Sequence, residues 1–321
     1  MRITITGASG FVGRMLVQRL FDGVLADGSA ATVNRIPGIT LSLVVHRQSS
    51  VDHLHRMHPG STVHRVHGWS DPELMPALEG ADVLIHLAWS TVPRSAAQDP
   101  ARDAQVNVEG GLHLIESAAR AGVKRIVFVS SGGTVYGRRS GAPIKENVPL
   151  DPTNAYAAGK SCFEEYLGIR AAHHGMEHVI LRAANLYGDP HGPTKQQGVV
   201  EHWSQCIFQR RPIEAWHGLE VVRDYLHVDD MVDALLAAIV HPLQSHVFNV
   251  GTGVGTSLGE LAARLFSVAG TEVPIHVPPG AHADLPWNVL DSTLLHDQWG
   301  LAPKVALNDG LQRTWLSLHK G

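Results

Sequence analysis

Short β-branched runs and helical periods take turns along the chain from Arg2 to Ala184. Arg2 to Thr6 alternates weakly and reads as a strand. Gly7-Ala8-Ser9-Gly10-Phe11-Val12-Gly13 then leads into apolar positions Met15, Leu16 and Leu20 at helical spacing. The pattern predicts further strands at Ile39–Val45, Thr62–His67, Asp82–Ala88, Arg125–Val129 and Glu177–Ala184. Helices are expected at Glu73–Leu78, at Arg102–Ala121 and after Asn154, which follows the turn residues Asp151, Pro152 and Thr153 and is placed to cap. Strand and helix alternate throughout, so the fold class is α/β, a doubly wound parallel sheet with its ligand across the carboxyl ends of the strands.

Two stretches break the rhythm. Asp22 to Gly38, rich in Gly, Ala, Asn and Pro, reads as a helix end followed by a long surface loop. Gly188 to Gln197 marks the crossing into a smaller region, with a helix over Gly198–Arg211 and strands at Pro212–Trp216 and Val221–Tyr225. The apolar helix Val228–Val240 and the strand Val247–Val250 are expected to return to the main sheet. Helices near Leu258–Ala269 and Leu307–Leu318 complete the smaller domain.

Composition narrows the class. With 321 residues, 44% hydrophobic and 17% charged, the chain suits one large or two interlocked globular domains. A net charge of −4 recommends neither nucleic acid nor an anionic membrane as partner. No run approaches the length of a membrane span, and the chain opens on a strand rather than a basic, apolar leader, so a cytoplasmic enzyme is the expectation. Cys162 and Cys206 are too few for a disulfide framework. The 21 histidines form no metal-ligand spacing, so no metal site is expected.

The candidate chemistry sits at the strand ends. A glycine turn between a strand and a helix lets backbone approach a pyrophosphate, which the helix N-terminus favours. The second strand ends at His46-Arg47-Gln48 with no carboxylate for ribose hydroxyls, and Arg47 tilts the reading from NAD toward NADP, unless it is a solvated strand-end arginine. Ser130, Ser131 and Thr134 follow the fifth strand, with Ser131 and Thr134 candidates to bond a sugar oxygen or to satisfy a tight Ser-Gly-Gly turn. Tyr156 and Lys160 stand one helical turn apart, with a rise of about 6 Å. A cation beside a phenol, reinforced by an oxidised nicotinamide when one is bound, favours the phenolate, so Tyr156 is expected to work as a proton carrier around neutrality.

Six motifs occur in order: Gly7-x-x-Gly10-x-x-Gly13, His86-Leu87-Ala88, Ser130 to Gly137, Tyr156-x-x-x-Lys160, Leu181-Arg182-x-x-Asn185-x-Tyr187-Gly188, and Arg223-Asp224-Tyr225-x-His227-Val-Asp229-Asp230. In these the whole chain resembles the extended short-chain dehydrogenase/reductases that modify nucleotide sugars, the group of UDP-glucose 4-epimerase. The resemblance implies a Rossmann-type NAD(P)-binding domain over 1–187, including 226–250, and a smaller substrate domain over 188–321. It implies cofactor contacts at Gly7, Gly10, Phe11, Val12, Gly13, Arg47, Leu87, Ala88, Asn107, Ser130, Tyr156 and Lys160. Tyr156 becomes the acid/base, Lys160 the ligand of ribose hydroxyls, and Thr134 or Ser131 the partner of the sugar oxygen. Ser90, Thr134, Asn185, Gln197 and Arg223 face a nucleotide diphosphate-sugar, with Arg223 alternatively paired to Asp224 or Asp229. A homodimer is usual in the family.

Departures from the pattern select among reactions. Gly132 replaces the usual catalytic Ser or Thr. Gly133 and Thr134 replace the Asp-Glu pair of 4,6-dehydratases, leaving no acid for dehydration. His67-Gly68-Trp69-Ser70-Asp71 lacks the family's Gly-Asp-Leu acid, and Ala281 stands where relatives often carry a diphosphate-binding Arg. The first reading is therefore a nucleotide-sugar 4-epimerase working through a 4-keto intermediate. An NADPH-dependent 4-ketosugar reductase, favoured by Arg47 and Ala281, is the alternative. A non-catalytic dinucleotide-binding protein is a third, opposed by the intact Tyr156 and Lys160.

Overall fold

The computed structural model describes residues 1–22, 38–188, 198–281 and 285–319. Most of the Asp22–Gly38 loop and of the Gly188–Gln197 crossing, including Gln197 itself, lies outside the described residues. The first strands are β1 (Arg2–Thr6), β2 (Thr40–Val45), β3 (Thr62–Arg65), β4 (Val83–His86), β5 (Arg125–Ser131) and β6 (Glu177–Ala183). They are followed by β7 (Asn185–Tyr187), β8 (Ile213–Glu214), β9 (Val222–His227) and β10 (Val247–Val250). The last are β11 (Gly255–Ser257), β12 (Ile275–His276) and β13 (Trp287–Asn288).

The main sheet has seven strands in the order β10-β6-β5-β4-β1-β2-β3. The chain builds outward from β1 through β2 and β3, then restarts at β4 on the other side. Pairs β1–β2, β2–β3, β1–β4 and β4–β5 are parallel. This makes the gap past β1 and β4 the switch point, where open parallel sheets bind ligands.

Contacts divide the chain into two compact units. The first comprises Met1–Ser131, Pro152–Arg182 and Val232–Phe248, and the second Gly132–Asp151, Ala183–Met231 and Asn249–Gly321. The segment after β5, Gly132 to Asp151, thus belongs with the second unit. In the first unit the helices are α1 (Phe11–Asp22), α2 (Gln48–Met57), α3 (Leu74–Leu78), α4 (Pro93–Gln98), α5 (Pro100–Asp103), α6 (Gly110–Arg120) and α7 (Ala155–His174). Leu74, Leu78, Leu114, Ile115, Phe163 and Leu167 pack from α3, α6 and α7 onto Leu84, Ile126 and Phe128 of the sheet. Here β5 runs two residues beyond the expected end, carrying Ser130 and Ser131 within the strand.

The expected helix Arg102–Ala121 is more broken than its periodicity implies. It starts at Pro100, where proline's missing N–H costs nothing and Asp99 caps the Arg102 amide, and a π-helical turn spans Ala104–Glu109 before α6. Helix α4, which the sequence reading does not anticipate, opens on Pro93 for the same reason.

The second unit holds α8 (Val199–Phe208), α10 (Leu258–Ala269), α11 (Thr293–Trp299) and α12 (Leu307–Ser317); α9 (Val228–Val240) begins there and ends in the first. Trp203 and Ile207, Leu261 and Leu265, and Leu311 pack with Tyr187 and Tyr225 of β7 and β9 in a core of its own. Helix α10 carries a full capping box, Ser257 accepting from the Glu260 amide and Glu260 from the Ser257 amide. No described helix is long and apolar enough to cross a membrane.

Candidate active site

At the switch point β1 turns into α1 through Gly7, whose φ of 71° is one that residues with a side chain rarely adopt. A methyl at Gly7 would stand 2.7 Å from the Ala88 amide nitrogen, so the turn and the end of β4 close up only because the side chain is absent. The Gly10 amide bonds Gly7 O at 2.8 Å, and Phe11, Val12 and Gly13 open α1, whose first amides lack helical partners. Beneath the turn, Thr6 Oγ1 lies 2.8 Å from His86 Nδ1 and accepts from the Ala88 amide at 3.4 Å. Burial pushes His86 down to about 3, with Lys160 adding to the effect, so this imidazole is neutral packing and not an acid or base.

Arg47 occupies the cap position of α2 at the end of β2, exposed and without a side-chain cap bond. Ser130 Oγ, at the end of β5, is buried without a hydrogen-bond partner among the described residues. A glycine cradle at a helix N-terminus and an unsatisfied buried hydroxyl at the next strand end together fit a dinucleotide along Gly7–Gly13, Leu87–Ala88 and Ser130.

Tyr156 and Lys160 lie on the first turns of α7, which Asn154 caps by accepting from the Ala157 amide at 2.9 Å. The Tyr156 phenol is hydrogen-bonded to Ser131. Lys160 is 4% exposed, and its Nζ donates to Val129 O at 2.8 Å. That nitrogen also sits 4.0 Å from the centre of the Trp89 ring, 4.5 Å from that of Phe128 and 5.9 Å from that of Tyr156.

The charge balance corrects the sequence expectation. Burial raises Tyr156 to about 12, with its Ser131 bond pulling down and Asp103 adding to the rise. Burial lowers Lys160 to about 7 against the opposing pull of Glu164 and Asp103. The Lys160 charge is not among the influences on the phenol, and loss of solvent sets the direction for each group.

Asn107, on the π turn, accepts from the Ser90 amide at 2.9 Å and the Ser90 hydroxyl at 3.1 Å. Sequence reasoning passed over Trp89, Asp103 and Glu164. The available signals were an aromatic directly after Ala88, an Asp one helical turn before Asn107, and a Glu one turn after Lys160.

In the second unit, Thr134 is half-buried in a loop held by Asn288 Nδ2 donating to Gly132 O at 3.0 Å and by the Gly133 amide on Ala183 O at 3.3 Å. Asn185 Nδ2 reaches Asp224 O at 3.4 Å, and Arg223 Nη1 donates to Val222 O at 2.9 Å. Neither Asp224 nor Asp229 takes Arg223 as a partner. The first accepts from the Thr252, Gly253 and Leu290 amides, and the second pairs with Arg313 at 3.2 Å. Burial lowers the Arg223 pKa, as for a cation without a carboxylate to compensate it. The first unit therefore assembles Ser131, Tyr156 and Lys160 beside the glycine turn. Thr134, Asn185 and Arg223 belong to the second unit. Among the described residues no group of His, Cys, Asp and Glu is arranged to hold a metal.

Residues 3–251 match the model of the NAD dependent epimerase/dehydratase family. The chain is 34% identical over 320 residues to a UDP-glucose 4-epimerase of Mycolicibacterium smegmatis, covering 98% of this chain and 97% of the relative. It is similar in structure to the UDP-glucose 4-epimerase of Thermotoga maritima crystallised with UDP-glucose, with a TM-score of 0.86, 30% identity, and 100% and 99% of the two chains covered. The UDP-glucose 4-epimerase of Thermus thermophilus in complex with NAD superposes with a TM-score of 0.83 at 27% identity, covering 99% of each chain.

Proposed function

The chain belongs to the NAD dependent epimerase/dehydratase family and is an enzyme using NAD or NADP, and from that premise we propose that it epimerises a nucleotide diphosphate-sugar at C4. The observation that carries the reading is the grouping of Ser131, Tyr156 and Lys160 at the end of β5, next to a turn shaped for a dinucleotide. The Gly7–Gly13 turn, Leu87, Ala88, Asn107, Ser130 and Lys160 hold the cofactor in this reading. Bound there, the nicotinamide supplies a reversible two-electron acceptor for the sugar carbon. Tyr156 accepts the C4 hydroxyl proton and later returns it, with Ser131 orienting the oxygen in place of the hydroxyl lost at Gly132. Thr134, Asn185 and Gln197 complete the substrate contacts, and Arg223, a half-buried cation that no described carboxylate compensates, suits the diphosphate.

Nucleotide released on denaturing the purified protein tests this. Stoichiometric NAD, together with interconversion of UDP-glucose and its C4 epimer or of another nucleotide-sugar pair, is the expected result. The second reading, reduction of a nucleotide 4-ketosugar by NADPH, is favoured by the protonated Tyr156 phenol, which is the donor form that this half-reaction needs. A protein that binds NADPH from solution and consumes it with a 4-ketosugar would reject epimerisation as the main reaction. Arg47→Asp is expected to move the ratio of NADP to NAD affinity toward NAD by about tenfold or more; an unchanged ratio removes Arg47 from the site.

A homodimer is part of the same proposal. On α7 the exposed Cys162, Tyr166 and Ile169, the last 61% exposed, share a solvent face at helical spacing. Ile169→Asp is expected to convert a dimer to monomer in light scattering, and a wild-type protein that is monomeric at high concentration would dismiss the pairing.

A further inference from the structure

Asp103 closes α5 one turn before Asn107 and is 2% exposed. Its Oδ1 accepts from the Thr91 hydroxyl and, at 2.8 Å, from Asn107 Nδ2. The same Asn107 nitrogen reaches Thr91 Oγ1 at 3.2 Å, while the Asn107 oxygen takes both Ser90 donors. Four side chains thus fasten the loop past β4 to the π turn, and Trp89 lies in that loop. The second carboxylate oxygen of Asp103 faces α7 at Gly159. A methyl there would stand 2.9 Å from Oδ2, so a residue with a side chain would push the carboxylate away from the turn that carries Lys160.

We propose that Asp103 is a positioning residue for the proton-transfer pair: through Thr91 and Asn107 it fixes the Trp89 ring against Lys160, and across Gly159 it serves as counter-ion to the Lys160 ammonium. The inference rests on the reading of Tyr156 and Lys160 as the reacting pair. Four titratable groups face Lys160. His86 of β4 is neutral, and Tyr156 on α7 is protonated. Glu164, also on α7, favours the ammonium while held at 2.6 Å by the Arg182 guanidinium, which offsets part of its charge. Asp103 is paired with no cation among the described residues and receives only neutral donors, so its charge favours the ammonium alongside that of Glu164. Loss of the Asp103 charge leaves Glu164, already tied to Arg182, alone to oppose burial.

The test uses Asp103→Asn, which keeps the shape and an accepting oxygen, beside Thr91→Val, which removes one hydrogen bond and keeps the charge. In cofactor-free protein with 15N in its lysine side chains, the Lys160 nitrogen is assigned with Lys160→Arg and titrated by NMR. Asp103→Asn is expected to lower the Lys160 midpoint by about one pH unit, and Thr91→Val by no more than a few tenths. In turnover, Asp103→Asn is expected to lose about tenfold in kcat at pH 7, with KM for the sugar within about twofold. An unmoved midpoint in Asp103→Asn overturns the proposal, even where activity or Tm falls, because it leaves Asp103 a scaffold only. Asp103→Ser gives the same comparison if Asp103→Asn does not fold. If the wild-type enzyme turns over no nucleotide sugar, the reading of the reaction fails, while the titration still decides the role of Asp103.

Discussion

Replacing Tyr156 by Phe is expected to lower kcat by about 10²- to 10⁴-fold, the range that a positioned acid or base contributes, with cofactor affinity and fold retained. Among the described residues the hydroxyl removed is bonded to Ser131, and loss of such a bond costs the fold about 1 kcal/mol. The effect on rate is larger because the phenol is the group through which the sugar proton passes. Its burial sets the direction of the pH dependence. With Tyr156 held at about 12, phenolate grows about tenfold for each pH unit up to that point, and the proton-accepting half of the reaction is expected to quicken with rising pH. The opposite limb comes from Lys160, which is lowered to about 7 and sheds its charge as pH rises through that value. Initial rates of the variant and wild type across pH, alongside cofactor binding followed by fluorescence, check both statements. A Tyr156→Phe enzyme that keeps more than about a tenth of wild-type kcat would remove the phenol from the reaction, since loss of one orienting bond alone accounts for that much.

The sheet was legible because buried parallel strands read as short β-branched runs between helical periods, and each of β1 to β6 lies within or overlaps the range read from the sequence. The π turn was not. It places Asn107 against Ser90, Thr91 and Asp103, partners that periodicity does not register. The electrostatics were less legible still. A sequence counts Lys160 beside Tyr156 as one charge favouring another, but carries no measure of the solvent removed from both, and burial decides the direction for each. Arg223 shows the same gap from the other side. Asp224, next in sequence and on a strand, projects to the opposite face and is taken by backbone amides of residues 252, 253 and 290, so adjacency suggested a pair that strand geometry forbids.

Breaking the pair between Glu164 and Arg182 is expected to be the most damaging single change to the first unit. Arg182, within the Leu181 to Gly188 motif, lies on β6 and points its guanidinium at Glu164 on α7, with Nη2 at 2.6 Å and Nε at 3.0 Å from Oε2. Both side chains are buried, at 8% and 3% exposure. Glu164→Ala leaves a buried guanidinium without its carboxylate, and removing one partner of such a pair costs about 3 to 5 kcal/mol. For a unit of this size that is a fall in Tm on the order of 10 °C by calorimetry. Arg182→Met is expected to cost a similar amount by stranding the carboxylate. The double variant Glu164→Leu with Arg182→Met should recover much of the loss, because two apolar side chains leave no unpaired charge behind. If the single changes shift Tm by less than about 2 °C, water reaches the pair and the tie between β6 and α7 is carried by apolar packing alone. The recovered double variant also separates stability from chemistry. It restores the packing that seats α7, but not the carboxylate that favours the Lys160 ammonium, so a well-folded protein with a lowered Lys160 midpoint is the expected state.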